Sequence, residues 1–116
     1  MPSAVAILAL LLAPAQPAHA RQASYLPVTE AVAALADGQP WAGTRPDGGQ
    51  VRLTLHPNGT GRFEGPVTRA ITWSVQGQEI CIAIGLPVGT RCLRFLRHGP
   101  GFAAHEAGER AFTLSR

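Results

Sequence analysis

A serine nucleophile needs an adjacent base and an exposed turn to stand on. Beyond residue 20 the serines are Ser24, Ser74 and Ser115. None sits in a G-x-S-x-G elbow, and Ser74 follows Trp73 in an alternating run that presents it outward. Among metal-ligand types, His105, Glu106 and Glu109 form the one close grouping beyond that residue. Neighbouring residues of a strand point to opposite faces, so His105 and Glu106 read as turn residues rather than as a pair of ligands. His56 and His98 stand at the ends of alternating runs, where water reaches them. Glu64, Glu79, Glu106 and Glu109 fall near hairpin ends, with no spacing that brings two carboxylates together for acid–base work. No catalytic residue, cofactor site or metal site is expected, and the chain reads as non-enzymatic.

Cys81 and Cys92 are the only cysteines. Their meaning depends on the compartment, and the first twenty residues speak to that. "MPSAVAILALLLAPAQPAHA" carries no Asp, Glu, Lys or Arg. Its apolar run from Ala4 to Ala13 is broken by Pro14 and Pro17 and closes on Ala18-His19-Ala20, the small-x-small pattern a signal peptidase accepts. The run is too short to span a bilayer. Residues 1–20 are therefore expected to be a removable signal peptide, with a periplasmic or secreted product and no stable membrane span after cleavage. In an oxidising compartment a lone pair of cysteines becomes a disulfide. Cys81–Cys92 would close a loop of about 12 residues, worth roughly 3 kcal/mol by loop entropy. Without a C-x-x-C motif or a second pair, it reads as a staple.

All ten basic residues are arginines, set against seven acidic residues for a net charge of +3. They are scattered rather than clustered with aromatics, so nucleic acid is not an expected partner. Arg69 and Arg91 fall in phase with the inward residues of their runs (Ile71 and Trp73; Leu93 and Phe95), and Arg97 continues that phase. Such arginines can hold an anion over an apolar interior, or turn outward to water; the second reading is the simpler.

The elements that would position these groups follow from periodicity. Residues 21–28, beginning "RQASYLP", lack a period and read as a flexible tail. "VTEAVAALADG" reads as a short helix, with Thr29 as its cap, a stripe of Val32, Leu35 and Ala36, and Gly38 as its stop. From there the period is two: Val51, Leu53, Leu55; Ile71, Trp73, Val75; Ile80, Ile82, Ile84. Turn signals such as "PDGG", "PNGTG", "GLPVG" and "AGE" separate the runs. They define eight short strands, from about Trp41–Arg45 to Arg110–Ser115, with no spacer long enough for a crossover helix. "LTLHPNGTGRFEG" lacks the lysine and following helix of a phosphate loop. Its Asn58-Gly59 reads as a type I′ hairpin turn. The hairpin "EICIAIGLPVGTRCLRF" puts both cysteines opposite the isoleucine face. In a two-residue turn Cys92 faces Cys81; in a four-residue loop it faces Ala83. The disulfide would then lie on the outer side, with the N-terminal helix as a candidate cover.

Eight antiparallel strands in sequence remove their edges by closing. The fold class expected is all-β: a closed or nearly closed antiparallel meander over residues 29–116, preceded by a short helix. The stretch "DGQPWAGT", with Trp41 opening the first strand, resembles the start of lipocalin-like barrels, which place one residue between glycine and tryptophan where this chain has two. "LHPNGTGRF", "ITWSVQGQEICI" and "TRCLRF" resemble small exported bacterial proteins of unknown function, over about residues 30–98. The resemblance implies an exported β-rich fold and carries no site. The functional expectation is a binding module for a small apolar or anionic ligand. Trp73, Val75, Ile82, Ile84, Leu93 and Phe95 would line its interior, and Trp41, Arg69, Trp73 and Arg91 are the candidate ligand or mouth contacts. The alternative is a periplasmic protein partner. The chain is similar in size, export and cysteine count to small lipocalin-like protease inhibitors that insert their N-terminus into an enzyme cleft.

Overall fold

The computed structural model describes residues 24–116; the expected signal peptide and the first residues of the tail lie outside them. The chain forms one helix, α1 (Val28–Leu35), and eight strands: β1 (Trp41–Thr44), β2 (Gln50–Leu55), β3 (Thr60–Glu64), β4 (Thr68–Gln76), β5 (Glu79–Gly85), β6 (Gly89–His98), β7 (Gly101–Glu106) and β8 (Glu109–Ser115). Each strand pairs antiparallel with the next, and β8 returns to β1 through Ala42↔Ser115, Gly43↔Leu114 and Thr44↔Thr113 to close the barrel. The closing strand must pass close to its neighbours: a Cβ on Gly43 would lie 2.7 Å from a Val51 methyl. Glycine is what allows β1 to fit.

The alternating pattern fills the interior as its period requires. Leu53, Leu55, Ile71, Ile80, Ile82, Leu93, Phe95 and Leu114 are buried. Val75 is the exception, at 45% exposure. β3 pairs with β4 only as far as Thr72, so the last part of β4 overhangs without a neighbour on that side. Its phase is inward, yet the barrel wall there is one strand short.

The helix begins earlier than its sequence indicates. Pro27, not Thr29, stands at the cap. Its carbonyl accepts from the N–H of Ala31 (3.0 Å), while the Val28 N–H donates to the Gln78 side chain (3.3 Å). With the helix starting at Val28, the buried stripe is Val28, Ala31 and Leu35, and Val32 is only half-buried. The helix ends at Leu35, and Gly38 instead makes the turn into β1. It adopts φ +80°, and its N–H donates to the Leu55 carbonyl (2.9 Å). The stripe packs on the inward residues of β5 and β6, so α1 plugs one end of the barrel and does not lie over the disulfide on the outer wall.

Trp41 fastens the plug. Its indole N–H donates to the Leu35 carbonyl (3.2 Å), and its ring meets Phe102 edge-to-face at 5.5 Å. The Arg116 guanidinium lies 3.7 Å from the ring centroid and pairs with both carboxylate oxygens of Asp37. Arg116, first among its neighbours, and then the Gln39 N–H lower the Asp37 pKa from an ordinary 3.8 to about 2.

The hairpin at Asn58-Gly59 is present, with a different turn from the expected type I′. Gly59 alone takes positive φ (+91°), its N–H donating to His56 (3.1 Å), while Asn58 accepts from the Thr60 N–H and hydroxyl. This is a type I turn followed by a left-handed glycine, and Arg45–Gly49 ("RPDGG") repeats it with Asp47 in the part of Asn58. Proline at the second position favours this choice.

Cys81 and Cys92 face each other directly and are bonded. The tip is a three-residue loop, Leu86–Val88, and one extra residue in β5, Ile84, restores the two-residue register below it. Replacing both cysteines by serine is expected to lower unfolding free energy by about 2–4 kcal/mol. Urea denaturation of the double variant measures this, and unchanged stability would show that the bond is not a staple. Asp37 gives a second expectation. Its pKa is lower folded than unfolded, so its contribution is complete above the unfolded value of 3.8 and is lost as pH falls toward about 2. Asp37→Asn should therefore flatten the fall in melting temperature over that window; an unaltered slope would contradict it.

Candidate functional site

With α1 in one end, the other end is the mouth that the described residues leave open. The connections at residues 45–49, 65–67, 86–88 and 107–108 ring it. The last inward-phase residues of four elements are charged there: Arg45 following β1, Arg69 on β4, Arg91 on β6 and Glu106 on β7. Beneath them the wall is apolar. A cavity of about 220 Å³ opens between Arg45, Arg91 and Glu106 above and Val51, Phe63, Leu93 and Phe112 below. A smaller space of about 40 Å³ continues it downward to Leu53 and Ile82.

Two bulges shape this mouth, and they flank the β6–β7 pair. In β5 the extra residue is Ile84, which lines the cavity. In β8 the pairing moves from Ala104↔Phe112 to His105↔Arg110, leaving Ala111 as the extra residue, also in the cavity wall. Without that bulge Arg110 would share the inward phase of Phe112. With it, Arg110 falls opposite outward-facing His105, and alanine takes the space. Bulges at barrel rims re-aim side chains in this way.

The charges have specific partners. Arg91 Nη1 donates to Glu106 Oε1 at 2.8 Å, and both side chains remain partly exposed. Arg45 folds over Gly49 and lies 3.4 Å from the Asp47 carboxylate. Asp47 is held below its usual pKa, first by the Gly49 N–H and then by Arg45. Arg69 reaches Gly85 at the rim, and among the described residues it makes no ion pair. Three cations and one anion thus stand at the mouth, and of these Arg45, Arg91 and Glu106 line the cavity. The arrangement suits a ligand with an anionic head and an apolar body; guanidinium groups bind carboxylates with charge-assisted hydrogen bonds.

Of the residues singled out in the sequence, Arg69 and Arg91 stand at the mouth, and Trp41 and Trp73 lie toward the other end. Trp73 donates its indole N–H to the His56 carbonyl (2.9 Å) and is half-buried beside the β2–β3 turn. Arg97 lies at the helix end, paired with Glu30 at 3.2 Å. Arg45, Glu106, Phe63 and Phe112 were not in the expected site. Arg45 was readable, since Trp41, Gly43 and Arg45 share one phase. Ala111 was not, because its place depends on a bulge that alternation does not show.

Other groups are accounted for by structure. Glu79 lies within 4.8 Å of Cys81 and Cys92 in ligand atoms, but the two sulfurs are bonded to each other and offer no thiolate. Ser74 stands opposite Cys81 on the outer wall. His105 Nδ1 is 3.1 Å from the Tyr25 hydroxyl, and Arg94 lies over the Tyr25 ring at 4.6 Å. With the Leu26 N–H donating to Phe95 (2.7 Å), these contacts hold the described part of the tail against β6 and β7. Among the described residues no helix is long and apolar enough to cross a membrane. Comparison of the chain with protein-family models, with curated proteins and with solved structures finds no match.

Proposed function

We propose that this chain is an exported, non-enzymatic binding module that takes a small amphipathic anion in the mouth of its barrel. The observation that carries the reading is the apolar cavity under an arginine rim, at the one end of the barrel the helix leaves open. Export is supported by the signal-like first twenty residues and by the disulfide. Affinity would come from apolar burial, about 0.8 kcal/mol per methylene, and selectivity from the guanidinium groups. The size limits the ligand. Drug-sized molecules occupy pockets of roughly 300–1,000 Å³, while about 150 Å³ suffices for benzene. A cavity of about 220 Å³ therefore suits a short acyl chain or a single ring bearing a carboxylate.

Octanoate is a suitable probe, with 1-octanol as its uncharged counterpart. NMR titration is expected to show both moving the resonances of Val51, Phe63 and Phe112, with octanoate the tighter. Filling the cavity by Ala111→Phe should remove binding of both while the far-ultraviolet spectrum stays that of the parent. Octanoate binding that survives the filled cavity would place the ligand elsewhere and defeat the reading.

A second reading, capture of a periplasmic protein by the tail, is favoured by one observation. Tyr25 is clamped by Arg94 and His105, which fixes the described start of the tail on the outer wall of β6 and β7. Deleting residues 21–24 preserves that clamp. It should abolish partner binding while leaving octanoate binding unchanged, and loss of neither would remove the tail from consideration.

A further inference from the structure

We propose that Glu106 is a built-in stand-in for the ligand's carboxylate: it pairs with Arg91 and yields it when an anionic ligand arrives. This deepens the proposed binding function and rests on it. Among the described residues Glu106 is the one acidic side chain in the cavity wall, and it sits where an incoming anionic head would sit, 2.8 Å from Arg91 Nη1. Continuing the β6–β7 register one step past Arg94↔His105 puts Glu106 opposite Leu93 and diagonal to Arg91 on the inner face. The pair therefore lies on the rim between two neighbouring strands, at the top of the apolar wall.

The surroundings keep Glu106 committed to Arg91 alone. Its ladder partner at the hairpin end is Glu109, which offers it no positive charge. The extra residue Ala111 rotates Arg110, the nearest cation in sequence, away to the outer face opposite His105. Ala107 and Gly108, at φ +52° and +86°, form a two-residue hairpin turn that fixes Glu106 at the end of β7. Bulge and turn together aim one carboxylate at one guanidinium.

The pair is also exchangeable. The Arg91 side chain is 49% exposed and that of Glu106 32%, so water screens their attraction and either partner can be replaced. A carboxylate that brings an apolar body can form the same hydrogen bond and additionally fill the cavity; Glu106 can do only the first. A neutral ligand has nothing to exchange, and it enters beneath the intact pair. Glu106 thus sets the threshold for anions without affecting uncharged guests.

The test titrates wild type, Glu106→Gln and Arg91→Gln with octanoate and 1-octanol. Glu106→Gln is expected to bind octanoate about fivefold tighter, as loss of an exposed competing pair allows, and octanol within about twofold of wild type. Arg91→Gln should weaken octanoate and spare octanol. In the wild-type protein, the Glu106 side-chain carboxyl resonance should move with octanoate and stay in place with octanol, a readout that does not depend on any variant folding. If both probes bind and Glu106→Gln leaves octanoate unchanged or weaker, the stand-in role is overturned and the binding function stands. If neither probe binds wild type or Glu106→Gln, both fall. Octanoate binding that appears only in Glu106→Gln supports the proposal in its strongest form.

Discussion

The indole N–H of Trp41 donates to the carbonyl of Leu35, the last residue of α1, and this bond joins the helix to the first strand of the barrel. An eight-stranded barrel of short strands has two ends of similar width, and its own side chains are nearly sufficient to fill it. What distinguishes the ends here is that a helix stripe, Val28, Ala31 and Leu35, is inserted into one of them. The bond also satisfies a helix carbonyl that would otherwise be buried without a donor. Arg116 then covers the indole face and reaches Asp37, so the last residue of the chain, the helix-to-strand turn and the start of β1 close on one another. The polarity of the molecule follows from that cluster, since whatever the interior does must be done at the other end.

Much of the architecture was legible because alternation is a strong signal when strands are short and turns are marked by Gly, Pro, Asn and Asp. The isoleucines of β5 and their partners Leu93 and Phe95 are buried as their phase requires. Direct pairing of the cysteines needed more than the phase, because a three-residue tip with Ile84 as an extra residue gives the same register as a two-residue turn. The helix start was misplaced by the capping preference of Thr29, which ignored that a distant side chain, Gln78, can satisfy the first N–H. Val75 was misassigned because phase says which way a residue points and nothing about whether a neighbouring strand extends that far.

The site was half legible for a related reason. Phase marks Arg69 and Arg91, but phase alone does not tell the open end from the plugged one, so it groups Trp41 and Trp73 with them. The plug is a tertiary fact: it depends on where α1 lands, and nothing in "VTEAVAAL" names a barrel end. In sequence Glu106 reads as a turn residue, because it cannot share a ligand with adjacent His105. The same alternation that separates it from His105 points it inward beside Arg91. Ala111 was beyond reach, because a bulge breaks the periodicity on which the reading depended.

The cavity itself has a physical origin in these residue types. At the plugged end the inward residues Trp41, Leu55, Ile80, Phe95 and Phe102 are buried, while Arg97, which continues the phase of Phe95, turns outward and pairs with Glu30 of α1. At the mouth the corresponding positions are Arg45, Arg69, Arg91 and Glu106. A charged side chain cannot be drawn into an apolar interior without a large desolvation cost, so each of these turns its head toward water or toward a partner at the rim. The volume that leucines would have filled is left beneath them, walled by Val51, Phe63 and Phe112. One choice of residue type thus produces two features at once, an unfilled apolar space and a charged ring around its opening. A barrel selected only for stability would be expected to fill that layer, because apolar side chains there would both pack and bury surface. The four charges make the interior incomplete at one end, and an amphipathic anion is the kind of molecule that would complete it.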